Sequence, residues 1–172
     1  VKYPYPAILA GDKSKFGFFT TEEEIYIKIA QELGIKRLSK EDEPIRYARH
    51  PLVFLVEAAD DICYQMMDIE DAYKLKLLTP REAKELYLLF LDEKKQQRVE
   101  EVFSFVSDEN EQIAYLRATV IGILIKECTQ VFMDNEEAIL NGTFEGALIK
   151  HISSPLNEAY KQCSKVAFEK IY

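Results

Sequence analysis

The sequence predicts an all-α protein, with residues 1–172 forming a single helical domain. Apolar residues recur at helical spacing over long stretches, and capping residues precede several of those stretches. Only six glycines and six prolines punctuate the chain, too few for a turn-rich β-sandwich. At 172 residues the chain is long enough to bury a core without disulfides or structural metals.

The first half of the chain should hold two helices. Thr21 and Glu24 form a capping-box pattern, and Gly34 can end the helix that follows in the left-handed conformation. Residues 35–50 are charged and lack periodicity, which predicts a long loop. Pro51 suits the first turn of a second helix, expected to reach about Leu77.

The second half should be helical throughout. Thr79-Pro80-Arg81-Glu82 is the clearest helix start, because it combines a capping box with proline at the first helical position. Phe168 should lie on the inner side of the last helix. The expected helices cover 80–92, 95–106, Ser107 or Asp108 to Gln130, 135–140, 144–152, and a last segment beginning at Pro155 with Leu156, Tyr160 and Cys163 also on its inner side.

The composition narrows the possible partners and the compartment. A net charge of −8 argues against a general nucleic-acid surface, so single-stranded nucleic acid stays a possible partner that the charge does not support. No apolar run is long enough to span a bilayer, which predicts no membrane partner. The scattered cysteines Cys63, Cys128 and Cys163 are typical of reduced thiols and indicate a cytoplasmic protein.

The helix beginning at Pro51 carries an acidic face. At 100° per residue, its carboxylates and one tyrosine share a stripe about 100° wide, whereas apolar residues occupy the other side. The stripe consists of Glu57, Asp60, Asp61, Tyr64, Asp68 and Asp71, and the apolar side of Leu52, Leu55, Ile62, Met66 and Ile69.

Periodicity alone is compatible with a solvated acidic surface. However, no Lys or Arg lies between Arg49 and Lys74, so the stripe lacks the i, i+4 partners that usually relieve such a face. Clustered carboxylates repel one another unless a cation binds among them. A metal or another cation is therefore the competing interpretation.

Residues 49–71 resemble the dGTP triphosphohydrolase family of the HD superfamily. The matching segments are Arg49-His50-Pro51-Leu52-Val53, Glu57-Ala58-Ala59-Asp60-Asp61-Ile62-Cys63-Tyr64 and Asp68-Ile69-Glu70-Asp71. Further similarity covers Lys2-Tyr3-Pro4, Gly11-Asp12-Lys13-Ser14-Lys15-Phe16-Gly17, Asn141-Gly142-Thr143-Phe144 and 167–172.

The resemblance implies an HD-like helical fold and a metal-dependent hydrolase. It implies that Asp60 binds the divalent metal, Mg²⁺ or Mn²⁺, that Tyr64 lies against the deoxyribose, and that Asp68 accepts a hydrogen bond from the 3′-hydroxyl. Asp60 and Tyr64 are thus the candidate catalytic residues. The implied reaction cuts a dNTP, with dGTP as the expected substrate, into deoxynucleoside and triphosphate, and the implied assembly is a homo-oligomer. Lys2, Tyr3 and Lys15 look like the residues that face the phosphates.

The chain departs from the family pattern at the metal ligands. Superfamily members use a His and a later His-Asp doublet, but His50 precedes proline and His151 precedes isoleucine. We therefore expect this chain to be a C-terminal portion of a longer enzyme, inactive alone, with His50 capping a helix or packing locally. Arg49 is expected either to reach the site or to pair with an acidic neighbour, and Arg117 to be a buried anchor.

Two other functions stay open at this point. The chain could belong to another HD-superfamily phosphohydrolase that acts on nucleotides with a different leaving group. It could also be a helical interaction module whose acidic face meets a basic partner.

Overall fold

Seven α-helices account for most of the computed structural model, which describes residues 1–11 and 15–170. The described residues contain no extended strand, only two isolated bridges, Pro6 with Phe18 and Arg37 with Tyr47. The all-α prediction is confirmed. The α-helices are α1 Glu23–Glu32, α2 Pro51–Lys74, α3 Pro80–Leu88, α4 Glu93–Phe103, α5 Glu109–Asp134, α6 Glu136–Asn141 and α7 Ser154–Lys170, with 3₁₀ turns at Ala7–Leu9, Thr20–Glu22 and Leu148–His151.

Several helix ends follow from the capping chemistry. The Thr79 hydroxyl accepts a bond from the Glu82 N–H at 3.2 Å, and the Glu82 carboxylate accepts from the Thr79 N–H at 2.8 Å. The Asp108 carboxylate accepts from the Glu111 N–H at 3.0 Å at the start of α5. Gly34 has φ +64°, the left-handed conformation expected after α1.

Several predicted helix boundaries are wrong. The helices expected at 80–92 and 95–106 are Pro80–Leu88 and Glu93–Phe103, the helix expected to end at Gln130 continues to Asp134, and the helix expected at 144–152 is only a 3₁₀ turn at Leu148–His151. Thr21 and Glu24 do not cap α1; instead, the Glu22 carboxylate accepts from the Phe19 N–H at 2.9 Å, and a 3₁₀ turn precedes the helix. The capping carboxylate is therefore Glu22, two residues before Glu24, and it lies three positions after the N–H that it accepts from. Helix α2 ends at Lys74 and not at Leu77, since Lys76 adopts φ +62° and leaves the helical conformation.

The chain divides into two compact units, each described here by itself. Unit 1 comprises Val1–Glu57 and Phe132–Ala147, and unit 2 comprises Ala58–Val131 and Leu148–Tyr172. Helix α2 runs through this division, contributing residues 51–57 to unit 1 and 58–74 to unit 2.

The core of unit 1 forms around aromatic rings. Phe18 stacks on Tyr26 with ring centroids 4.3 Å apart, and Tyr26 meets Tyr47 edge-on at 5.7 Å. Gly142 packs against Ala48, which lies in the loop between α1 and α2. Gly142 has φ +72°, and an added Cβ would lie 2.8 Å from the Cβ of Ala48. Only glycine satisfies both restrictions.

The core of unit 2 contains one ionic group among apolar side chains. Glu70 has a side chain only 8% exposed, pairing with Lys74 at 2.7 Å and with Arg117 of α5. Arg117 is the anchor the sequence predicted, although its side chain stays 28% exposed. The largest fully buried apolar side chains of this unit are Tyr87, Ile62, Met66, Ile69, Ile113, Leu116, Leu124, Leu148, Val120 and Cys163.

Three apolar residues expected on inner faces are exposed. Leu52 is 60% exposed, Leu55 38% and Phe168 79%. Near its start α2 instead buries Phe54, and the inner side of α7 is completed by Ala167. A helical wheel gives relative directions on one helix, but the neighbouring elements decide which part of an apolar arc they cover.

Across the part of the chain that the structure describes, no helix combines the length and apolarity needed to cross a membrane.

Candidate functional site

A row of three polar side chains follows one side of α2 in unit 2. Asp60, Tyr64 and Asp68 are spaced i, i+4 and i+8 on a continuous helix, so they line up over about 12 Å. Asp60 is exposed, Tyr64 is 59% exposed and Asp68 is partly buried. Tyr64 is therefore not part of the buried core of the described residues.

The neighbouring Asp61 has a different environment. It is partly buried, and its backbone carbonyl oxygen accepts a 3.0 Å hydrogen bond from the hydroxyl of Tyr160 on α7. Burial raises the pKa of the Tyr160 phenol, and the negative charge of Asp61 raises that pKa further. Asp60 and Asp61 are thus distinguished by structure, with the backbone of Asp61 tied to α7 and the side chain of Asp60 at the surface.

The described residues do not make a complete metal centre. Within 1–11 and 15–170, no group of three or more His, Cys, Asp or Glu side chains is placed to hold a metal ion. Asp60 can supply one carboxylate ligand, which is fewer than a divalent cation requires. A metal bound at Asp60 would need at least one ligand besides the described His, Cys, Asp and Glu side chains.

In unit 1, Glu57 binds two basic side chains. Its Oε1 lies 2.8 Å from Lys2 Nζ, and its Oε2 lies 2.5 Å from Arg49 Nη2. Of the two alternatives for Arg49, pairing with an acidic neighbour is therefore observed. Helical spacing does not predict this cluster, because Lys2 lies far from Glu57 along the chain.

The environment of Glu57 keeps it ionised. Burial tends to raise the pKa of this carboxyl, but hydrogen bonds from Lys2 and then Arg49 outweigh burial and leave the pKa below its usual range. The Glu57 side chain is 13% exposed. A largely buried carboxylate with two charged donors is satisfied locally, so it does not depend on an external cation.

The other residues expected to face phosphates lie in the segment before α1. Tyr3 is partly buried and Lys15 is exposed. The Tyr5 hydroxyl donates to the backbone carbonyl oxygen of Lys15 at 3.2 Å, which holds the segment together. Gly17 is required here, because an added Cβ would lie 1.8 Å from the Tyr3 carbonyl oxygen. The matching positions 12–14 lie outside the described residues.

His50 caps α2, as predicted. Its Nδ1 accepts a hydrogen bond from the Leu52 N–H at 3.2 Å, which satisfies one of the donors left without a partner in the first turn.

Several known proteins that are similar to this chain carry the same name. Proteins named deoxyguanosinetriphosphate triphosphohydrolase-like protein from Pseudomonas aeruginosa strains are 32% identical over 176 aligned positions. The alignment covers 100% of this chain and 39% of the relative. A protein of the same name from Synechocystis sp. is 33% identical over 139 positions, covering 79% of this chain and 29% of the relative. No family model matches the chain.

These relatives bear out the family assigned from residues 49–71. The chain spans 39% of the length of the Pseudomonas relatives, as expected for a portion of a longer enzyme. This chain is homologous along its whole length to the dGTP triphosphohydrolase-like proteins.

Proposed function

We propose that the complete enzyme containing this chain hydrolyses deoxynucleoside triphosphates, dGTP first among them, into deoxynucleoside and intact triphosphate. The names of the homologues support a hydrolase of this general type. The observation that carries the proposal is the row Asp60, Tyr64 and Asp68, in which a mostly exposed tyrosine stands between two carboxylates.

The row offers a physical basis for selecting the sugar. We propose that the Tyr64 ring lies against the deoxyribose and leaves no room for a 2′-hydroxyl group. Ribonucleotides would then be rejected by a steric clash, which does not weaken binding of the preferred substrate. We propose that Asp68 accepts a hydrogen bond from the 3′-hydroxyl, a charge-assisted bond available to both classes of nucleotide.

The charged end of the substrate needs other residues. We propose that Lys2, Tyr3 and Lys15 of unit 1 bind the triphosphate, since a polyanion requires several donors and positive charges. Asp60 is proposed as one ligand of Mg²⁺ or Mn²⁺ in the complete enzyme. The described His, Cys, Asp and Glu side chains do not form a group of three or more that could complete the metal site.

The interaction-module hypothesis is weaker than the enzyme hypothesis. That hypothesis requires carboxylates on the acidic stripe of α2 that still need a cation. One of them, Glu57, is already paired with Lys2 and Arg49. The other alternative, an HD-superfamily phosphohydrolase with a different leaving group, predicts different products from dGTP.

Product analysis separates these possibilities. The complete enzyme should be incubated with dGTP and divalent metal, and the products separated by ion-exchange chromatography. Deoxyguanosine and triphosphate in equal amounts support the proposal, provided that Asp60→Ala abolishes both. Release of orthophosphate or pyrophosphate as the first product would favour the other phosphohydrolase, and the absence of turnover would favour the interaction module.

A further inference from the structure

The Lys2–Glu57–Arg49 cluster is anchored at its arginine. The Arg49 guanidinium carbon lies 4.2 Å from the centroid of the Phe54 ring. Phe54 is 2% exposed and meets Phe144 edge-on at 5.5 Å. The backbone oxygen of Gly146 lies 3.5 Å from Arg49 Nη1. Because Arg49 packs on a buried ring, the carboxylate that it binds also has a fixed position.

The other end of the cluster faces solvent. The Lys2 side chain is 47% exposed, against 22% for Arg49 and 13% for Glu57. Lys2 is therefore the most exposed side chain of the cluster. An anion arriving from solution meets Lys2 first.

The three side chains of the cluster are two cations and one carboxylate. Glu57 therefore does not pair with Lys2 alone, because Arg49 binds its other oxygen. Were Lys2 alone with Glu57, the pair would be neutral, and a phosphate would have to compete with the carboxylate. Arg49 already neutralises Glu57, and an ammonium group has three N–H donors, so Lys2 can bind Glu57 and a phosphate oxygen together.

We propose that Glu57 is a positioning residue, which holds the Lys2 ammonium group in place for the triphosphate of the substrate. Arg49 provides the fixed support and the compensating charge. This inference rests on the proposed function and adds to it a residue that need not touch the substrate. The competing explanation is that Glu57 only ties the start of the chain to α2.

Inorganic triphosphate separates binding of the phosphates from binding of the nucleoside. In the complete enzyme, the inhibition constants of inorganic triphosphate and of deoxyguanosine should be measured for wild type and Glu57→Gln, with kcat and KM for dGTP. Glu57→Gln removes a negative charge, which by itself would favour binding of an anion. Because the Lys2 ammonium group is then no longer held in place, the variant should nevertheless weaken inhibition by triphosphate and raise the KM of dGTP by about threefold or more. Deoxyguanosine inhibition should change by less than about twofold.

A double-mutant cycle shows whether Glu57 acts through Lys2. Lys2→Ala should weaken triphosphate by itself, and Glu57→Gln should add little in the Lys2→Ala background. Glu57→Asp should restore part of the affinity. The matched control is Glu24→Gln, which changes an exposed carboxylate on α1 of the same unit and should leave both constants unchanged.

Three outcomes would overturn the inference. Glu57→Gln could weaken inhibition by triphosphate and by deoxyguanosine equally, or its effect could add to that of Lys2→Ala in the cycle. Either result would mean that Glu57 only ties the start of the chain to α2. An unchanged triphosphate constant in Glu57→Gln, with wild type active and inhibited, would reject the positioning role and spare the proposed function. Wild type that neither binds triphosphate in calorimetry nor releases it from dGTP would overturn both.

Discussion

The hydroxyl group of Tyr87 on α3 donates a 2.7 Å hydrogen bond to the backbone carbonyl oxygen of Met66 on α2. Both residues are fully buried, so the bond satisfies a hydroxyl group that water does not reach. Burial raises the pKa of the phenol, and the charge of Glu70 adds to this effect. Met66 lies between Tyr64 and Asp68, so the bond ties the helical segment that carries the candidate sugar-binding residues to α3.

Removing this hydroxyl should weaken unit 2 modestly. Tyr87→Phe should lower the free energy of unfolding by about 1 kcal/mol, the usual net contribution of one hydrogen bond. The loss stays small because the Met66 carbonyl keeps its place in the helix ladder. Urea unfolding measures the difference. Tyr73→Phe, a partly buried tyrosine on α2, is the control and should stay within about 0.5 kcal/mol; equal effects of the two changes would deny the Tyr87 bond any special contribution.

The three cysteines should differ in reactivity. Cys63 is exposed, whereas Cys128 and Cys163 are buried. Burial raises the pKa of Cys128 to about 11 and that of Cys163 to about 12, so neither forms much thiolate near neutral pH. Titration with Ellman's reagent should detect one fast thiol in the native chain and all three after unfolding. Cys63→Ser should abolish the fast reaction; its persistence would contradict the burial of the other two thiols.

The Glu57 ion pairs should make stability sensitive to acid. Because the folded-state pKa of Glu57 lies below its ordinary value, the stabilisation is complete above the unfolded pKa of about 4.3 and declines as pH falls through the lower folded value. Wild type should therefore be more stable than Glu57→Gln at neutral pH, with the difference shrinking below about pH 4. Urea midpoints across that range measure it, and a difference independent of pH would contradict the ion pairs.

Asp60 and Asp61 should differ in their effect on the metal. In the complete enzyme, Asp60→Ala should remove bound Mn²⁺ and reduce turnover of dGTP by more than about a hundredfold, since losing a ligand should cost at least as much as losing an outer-shell partner. Asp61→Ala, 100° further around the helix, should keep the metal. Metal analysis of the purified variants tests both. If Asp61→Ala loses the metal and Asp60→Ala retains it, Asp61 and not Asp60 binds the metal.

Local signals in the sequence predicted the helices well. The Thr79–Glu82 capping box, the Asp108 cap and the left-handed Gly34 were correctly placed from residue chemistry. Each of these features depends on residues only a few positions apart. The start of α1 was misplaced because several adjacent acidic residues, including Glu22 and Glu24, can serve as the cap.

The sequence patterns did not predict contacts between segments that lie far apart along the chain. The partners of Glu57 include Lys2, and those of Glu70 include Arg117; in neither pair does spacing along the chain bring the residues together. Leu52 resembled a core residue because helical periodicity does not show where neighbouring elements stop covering a face. The row of Asp60, Tyr64 and Asp68 was predictable, because all three residues lie on one helix and helical geometry alone aligns them.

The most direct test of the account concerns Tyr64 and the choice of sugar. In the complete enzyme, kcat/KM for dGTP and GTP should be measured in wild type, Tyr64→Ala and Asp68→Ala, with metal content checked. Tyr64→Ala should narrow the preference for dGTP over GTP by about tenfold or more. Asp68→Ala should raise the activation free energy for dGTP by about 1.5–3 kcal/mol and so lower its kcat/KM. It should not raise kcat/KM for GTP. An unchanged preference in Tyr64→Ala, with metal retained, would contradict the proposed role of the tyrosine in sugar selection.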